Sequence, residues 1–155
     1  MKAILCWTYV VAMGLSGASM AQSARETSAH DRLMGAWHLV KIDSPGPDGT
    51  SVPIVQPKGL LIYTPDGHMS VQLMYPKSAY MPSNEYVQEG YEASFGSYDV
   101  DEAEHVLTHH VQGANTRDKL VGRDLRRKYQ FTDDGHLIIT SAQPEEHWSV
   151  TWEHY

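Results

Sequence analysis

The sequence predicts an all-β fold: an eight-stranded antiparallel up-and-down barrel with one short helix near residues 82–93. Three observations carry that prediction. Apolar and polar residues alternate over short runs, the pattern of strands with one buried face. Turn signals rich in Gly, Pro and Asp separate those runs. A Gly35-Ala36-Trp37 step opens the series and Trp152-Glu153-His154-Tyr155 ends it. A meander of eight strands tends to close on itself, because closure removes both exposed edges. An open sandwich is the alternative.

The first residues stand apart from the barrel. Lys2 precedes an apolar run from Ala3 to Leu15, broken only by Thr8 and Gly14, and Ser19-Met20-Ala21 supplies small residues at a cleavage position. The run is too short and too poorly flanked for a membrane anchor, so residues 1–21 read as a cleaved secretory signal. The mature chain is then expected in the periplasm or outside the cell. Cys6, the only cysteine, leaves with the signal, which suits an oxidising compartment. With no disulfide, hydrophobic burial alone must hold a domain of roughly 130 residues, a size at which it suffices. The net charge of −7 argues against nucleic acid or an anionic membrane as partner. Past the signal, no run could span a bilayer. Residues 22–31 are small and polar, a flexible linker, and 32–155 form the barrel domain.

Strand one is expected over Gly35 to Asp43, followed by a Pro/Gly loop at 44–49. Strand two, Gly59 to Thr64, and strand three, His68 to Met74, flank the hairpin turn Pro65-Asp66-Gly67. The helix near 82–93 rests on Ser83 as a cap, Glu85 in the first turn, and Tyr86, Val87, Gly90 and Tyr91 at helical spacing. Strand four follows at Ser94 to Val100, strand five at Glu104 to Gln112 and strand six at Leu120 to Phe131. A second hairpin turn, Thr132 to Gly135, leads to strand seven, His136 to Ser141. Gln143-Pro144-Glu145 turns into strand eight, His147 to His154.

Several stretches resemble the bacterial and fungal lipocalin-like domain proteins. They are Gly35-Ala36-Trp37-His38-Leu39-Val40, the run from Gly59 to Gln72, Phe95 to Val100, Val106 to Val111, Gly122 to Tyr129, and Trp152-Glu153. Together they cover nearly the whole mature chain in order. One departure is His154, where that family often has arginine. The resemblance implies an eight-stranded barrel with a central cavity, whose first tryptophan plugs the floor against an arginine. Some fungal relatives occur in natural-product pathways, which hints at isomerase roles.

Candidate site residues follow from parity. Arg127 shares a face with Leu125, Tyr129 and Phe131, so it is expected inside, stacked on Trp37 or Trp152 as part of the floor. A buried guanidinium needs partners; its functional reading is a bidentate grip on a ligand carboxylate. On strand five Val106, Thr108 and His110 alternate with Leu107, His109 and Val111, so both faces are mixed. The family places a histidine pair here, and His110 is expected inside, near Tyr98. Tyr63, Met69, Leu73, Tyr98, His110, Arg127, Tyr129 and Trp152 form the expected ligand pocket, apolar surface with a few polar handles. The same residue types fill ordinary cores.

No metal site and no cofactor are expected. His105 and His109 share a face but lie too far apart along a strand to chelate one ion, and adjacent His109 and His110 point to opposite faces. No phosphate loop and no Gly-x-Ser-x-Gly nucleophile motif is present. The leading functional reading is an exported protein that binds a small apolar or aromatic molecule, with homodimerisation left open. The alternative is a cofactor-free isomerase or cyclase using Tyr98, His110 or Arg127 to protonate or polarise a bound hydrophobic substrate. A third is a haem-binding barrel ligated through His154.

Overall fold

A computed structural model describes residues 27–45, 57–77 and 83–155, and the backbone of 51–53. The proposed signal, 1–21, and residues 22–26 of the linker lie outside the described residues. The elements in chain order are α1 (Ala29–Leu33), β1 (Gly35–Pro45), β2 (Ser51–Pro53), β3 (Lys58–Tyr63), β4 (His68–Met74), β5 (Tyr91–Asp101), β6 (Val106–Ala114), α2 (Arg117–Leu120), β7 (Asp124–Phe131), β8 (Leu137–Ser141) and β9 (Ser149–His154).

Every strand pairs antiparallel with its neighbour, and β1 also pairs with β9. The result is a closed ring of eight strands, with β2 a short addition that pairs only with residues 43–45 of β1. Closure leaves the ring without a free edge to template aggregation.

Two irregularities shape the wall. In β1 the register with β9 shifts between Leu39 and Lys41. Val40 and Lys41 therefore both face out, and Ile42 returns to the interior alongside Trp37 and Leu39. In the β5–β6 pair Phe95 opposes Gly113 and Gly96 opposes Val111, leaving Gln112 as the extra residue. At Gly96 the strands approach so closely that a Cβ would collide with the His110 carbonyl oxygen, so only glycine fits.

The Thr64 and Thr132 turns are built alike. In each, the threonine amide accepts nothing but donates to the carbonyl of the histidine four residues on, and the threonine hydroxyl bonds the aspartate two residues on. Gly67 supplies the positive φ of 81° that ends the first of them.

The interior divides along the barrel axis. At the end where β1 starts, Trp37, Tyr63, Met69, Tyr98, Leu107, Tyr129 and Leu137 fill the space, none more than 5% exposed. Helix α1 covers this floor: Leu33 is fully buried, and the Trp37 indole Nε1 donates to its carbonyl at 2.8 Å. Ser28 caps the helix through the Asp31 amide, and the Glu102 carboxylate accepts from the Ala29 amide at 2.8 Å. The other end, where β1 finishes, is the mouth.

Three expectations are corrected. Residues 83–90 form turns rather than a helix, and β5 already begins at Tyr91. The Asn84 side chain accepts from both the Tyr86 and Val87 amides, a local turn that competes with helix, and Glu89 and Gly90 both have positive φ. Strand six does not reach back to Leu120: the short helix α2 occupies 117–120, and β7 starts at Asp124. The linker expected over 22–31 ends early, because residues 29–31 belong to α1.

Candidate functional site

The mouth half of the barrel holds a cavity of about 160 Å³. Its apolar wall is built from Leu61 and Val71 of the neighbouring strands β3 and β4, Leu73, Ile139 and Trp152. Period-two alternation places these side chains inside: on β7 the burial alternates strictly from Asp124 outward to Leu125 inward and on to Arg127 and Tyr129. The polar groups that reach the cavity are Arg127, His109, Glu92, Tyr75, Tyr86, Asn84, Ser44 and Ser94, with Trp148 at the rim.

Arg127 is 6% exposed, inward as parity predicted. Its stacking partners differ from the expected ones. The guanidinium carbon lies 4.8 Å from the Trp148 ring centroid and 5.2 Å from that of Tyr86, not over Trp37 or Trp152. The physical reason is position along β7: Arg127 pairs with Ser141 and Leu107, one inward step further from the floor than Tyr129. The arginine at the floor is Arg32 of α1, over Phe131 at 3.9 Å. Glu146 ties the two mouth aromatics together, accepting from Trp148 Nε1 at 3.0 Å and from the Tyr86 hydroxyl at 3.4 Å. Arg127 Nη1 and Trp152 Nε1 are buried without a hydrogen-bond partner among the described residues.

The histidine pair is reversed from expectation. His109 faces the interior, 7% exposed, and its Nε2 lies 2.8 Å from the Tyr63 hydroxyl. His110 faces outward, where its Nδ1 donates to Asp124 at 2.6 Å and its Nε2 to Asp99 at 2.8 Å. Desolvation is the reason for the choice: an imidazole flanked by two carboxylates gains most as an imidazolium in contact with water. The pKa values diverge accordingly. Burial, with Arg127 and then His110 adding to it, pushes His109 down to about 3. The bonds to Asp124 and Asp99 raise His110 above its ordinary value. Burial pushes the Tyr63 phenol well up, so the Tyr63–His109 contact joins two neutral groups. Burial also pushes Glu92 up to about 7, against the lowering effect of Arg127.

Of the residues expected to line the pocket, Leu73, Arg127 and Trp152 do so. Tyr63, Met69, Tyr98 and Tyr129 belong to the packed floor, where the Tyr98 hydroxyl donates to the Thr64 carbonyl at 3.2 Å and lies 3.3 Å from His30 Nε2. Trp37 sits in the floor as expected, edge-on to His154 with centroids 4.5 Å apart. His154 is exposed at that end, its Nε2 donating to the Met34 carbonyl at 3.0 Å, and does not line the cavity. His109, Glu92, Tyr86 and Trp148 were missed. Leu107 and Val111, both almost fully buried, share the parity of His109 and were the signal for it. Tyr86 and Trp148 stand outside the strands, where periodicity says nothing. Among the described residues no cluster of metal-ligating side chains occurs, and no helix is long and apolar enough to cross a membrane.

No curated protein matches the chain. Among solved structures, a point mutant of the fluorescent protein UnaG matches at 10% identity and a TM-score of 0.40, over 81% of this chain and 97% of that one. A family model described as a lipocalin-like domain matches residues 34–154, β1 through β9. The chain belongs to the lipocalin-like domain family.

Proposed function

We propose that this barrel binds a small apolar or aromatic molecule in the mouth half of its interior. The observation that carries the reading is the contrast within one closed ring: rings and aliphatics fill the floor, while about 160 Å³ stays open above them. Apolar cavities of about that volume accept one benzene-sized ring, so the occupant is a single ring or a short chain rather than a long lipid. Its walls, Leu61, Val71, Leu73, Ile139 and Trp152, suit such a body. The apolar run and small-residue step at 1–21 support export of the binder to the periplasm or beyond.

The isomerase alternative rests on Tyr98, His110 and Arg127; Arg127 lines the cavity, but Tyr98 is packed in the floor and His110 lies outside the barrel, so neither of those two meets an occupant. Native mass spectrometry of the protein from its own host tests the proposal, together with melting curves in benzene, benzyl alcohol and 1-hexanol. A retained small molecule, or a Tm that rises with probe concentration and stays flat in Ile139→Trp, is the expected result. No adduct and no shift with any probe would sink it.

A further inference from the structure

The cavity contains two polar groups that find no hydrogen-bond partner among the described residues. Arg127 is 6% exposed and Trp152 2%, both line the cavity, and Arg127 Nη1 and Trp152 Nε1 lack hydrogen-bond partners. Both are donors with no acceptor capacity. An unpaired buried donor is costly, and an unpaired buried guanidinium more so. Among the described residues no carboxylate lies within ion-pair distance of Arg127. The rings of Tyr86 and Trp148 lie beside the guanidinium, their centroids 5.2 and 4.8 Å from its carbon, and its Nη1 is left without an acceptor among the described residues.

We infer that the occupant is an organic acid, its carboxylate held by Arg127 and its single ring or short chain lying against Leu61, Leu73 and Ile139. This rests on the binding reading above and names the chemical class of its ligand. The other lining groups are compatible with a negative charge. His109 and the tyrosines Tyr75 and Tyr86 are neutral at ordinary pH. Glu92 is the one acidic side chain on the wall, and burial makes it a proton carrier near neutrality rather than a fixed second anion. Arg127 is thus the one full positive charge facing the cavity, and Trp152 Nε1 offers a further donor to any other oxygen of the ligand.

The test uses matched probes on the whole mature chain: benzoate against benzyl alcohol, and hexanoate against 1-hexanol, followed by tryptophan fluorescence and Tm. The acid should bind tighter than its alcohol by on the order of tenfold to a hundredfold, the range of charge-assisted hydrogen bonds. Arg127→Met should remove that preference while the alcohols still bind, which also shows that the variant folds. Arg32→Met, at the far end of the barrel, should leave the preference intact. Equal binding of acid and alcohol in the unaltered protein, or a preference that survives Arg127→Met, would overturn the inference and leave the binding barrel standing. Binding of neither member of either pair would remove both.

Discussion

Arg32 and Arg127 each lie on aromatic rings, at opposite ends of one barrel, in opposite physical states. Arg32 is exposed; Phe131 lies under it at 3.9 Å and water solvates its charge. Arg127 has rings of its own, Tyr86 and Trp148, yet it is buried and keeps an unused donor. The floor beneath Arg32 is packed by Trp37, Leu107 and Leu137, with α1 as a lid over it. Beside Arg127 lies the cavity of about 160 Å³. The same residue type thus closes one end cheaply and holds a desolvated charge at the other. The packed core is concentrated at the floor, and the cavity of the proposed binding site lies at the mouth.

That division can be broken or sharpened by experiment. Trp37→Ala should have the largest effect, a loss of about 3–5 kcal/mol typical of a buried aromatic truncation. It would be read from chemical denaturation; a loss below about 1 kcal/mol would mean that the floor is not the stabilising half. Acid comes next. His109 has a depressed folded pKa, so its contribution is present above the unfolded value near 6.5 and is lost as pH falls toward 3. Stability should therefore fall between about pH 6.5 and 3, and His109→Gln should flatten part of that slope.

Arg127→Met at the mouth should change folding stability by no more than about 1 kcal/mol, or raise it, because it removes a buried charge that lacks a partner. A loss comparable to Trp37→Ala would show that the arginine is structural after all. A pH profile of benzoate affinity adds a finer measure. Glu92 faces Arg127 and Tyr75 around the cavity, with His109 neutral. Its protonation removes a repulsion, so affinity should rise severalfold as pH falls from about 8 to 6, and Glu92→Gln should abolish that rise. The smallest effect belongs to the outer surface. His110 has a raised folded pKa, so its contribution is full below about 6.5 and disappears as pH rises through the folded value. With a side chain about one third exposed, His110→Gln should cost only about 0.5 kcal/mol at pH 6 and nothing at pH 9, by denaturation.

The barrel was legible because alternation and turn chemistry agreed over most of its strands. Arg127 was placed inside by Leu125 and Tyr129 on its own strand, an inference that needs only period two. The histidine pair defeated the same reasoning. Val106 and Leu107 are adjacent and both buried, so β6 shows no clean alternation where it starts, and Val106 on the His110 face offset the parity signal that Leu107 and Val111 carry for His109. The aromatic rim was beyond reach for another reason. Tyr86 is placed by the Asn84 side chain and Trp148 by Glu146, local hydrogen bonds that helical spacing cannot express. Helix α1 had a legible cue in Ser28 three residues before Asp31, but five residues carry too few repeats to stand out.

The pairing of β1 with β9 makes the first and last strands of the barrel hydrogen-bonded neighbours, from Trp37 beside His154 to Asp43 beside Ser149. Such a ring has no privileged cut point. A chain joined from Tyr155 to Ser28 and reopened at Asp133-Asp134 would keep every ladder except that one turn. A permuted protein that folds and binds the same probes would show that the order of strands around the ring, rather than their order along the chain, specifies this container.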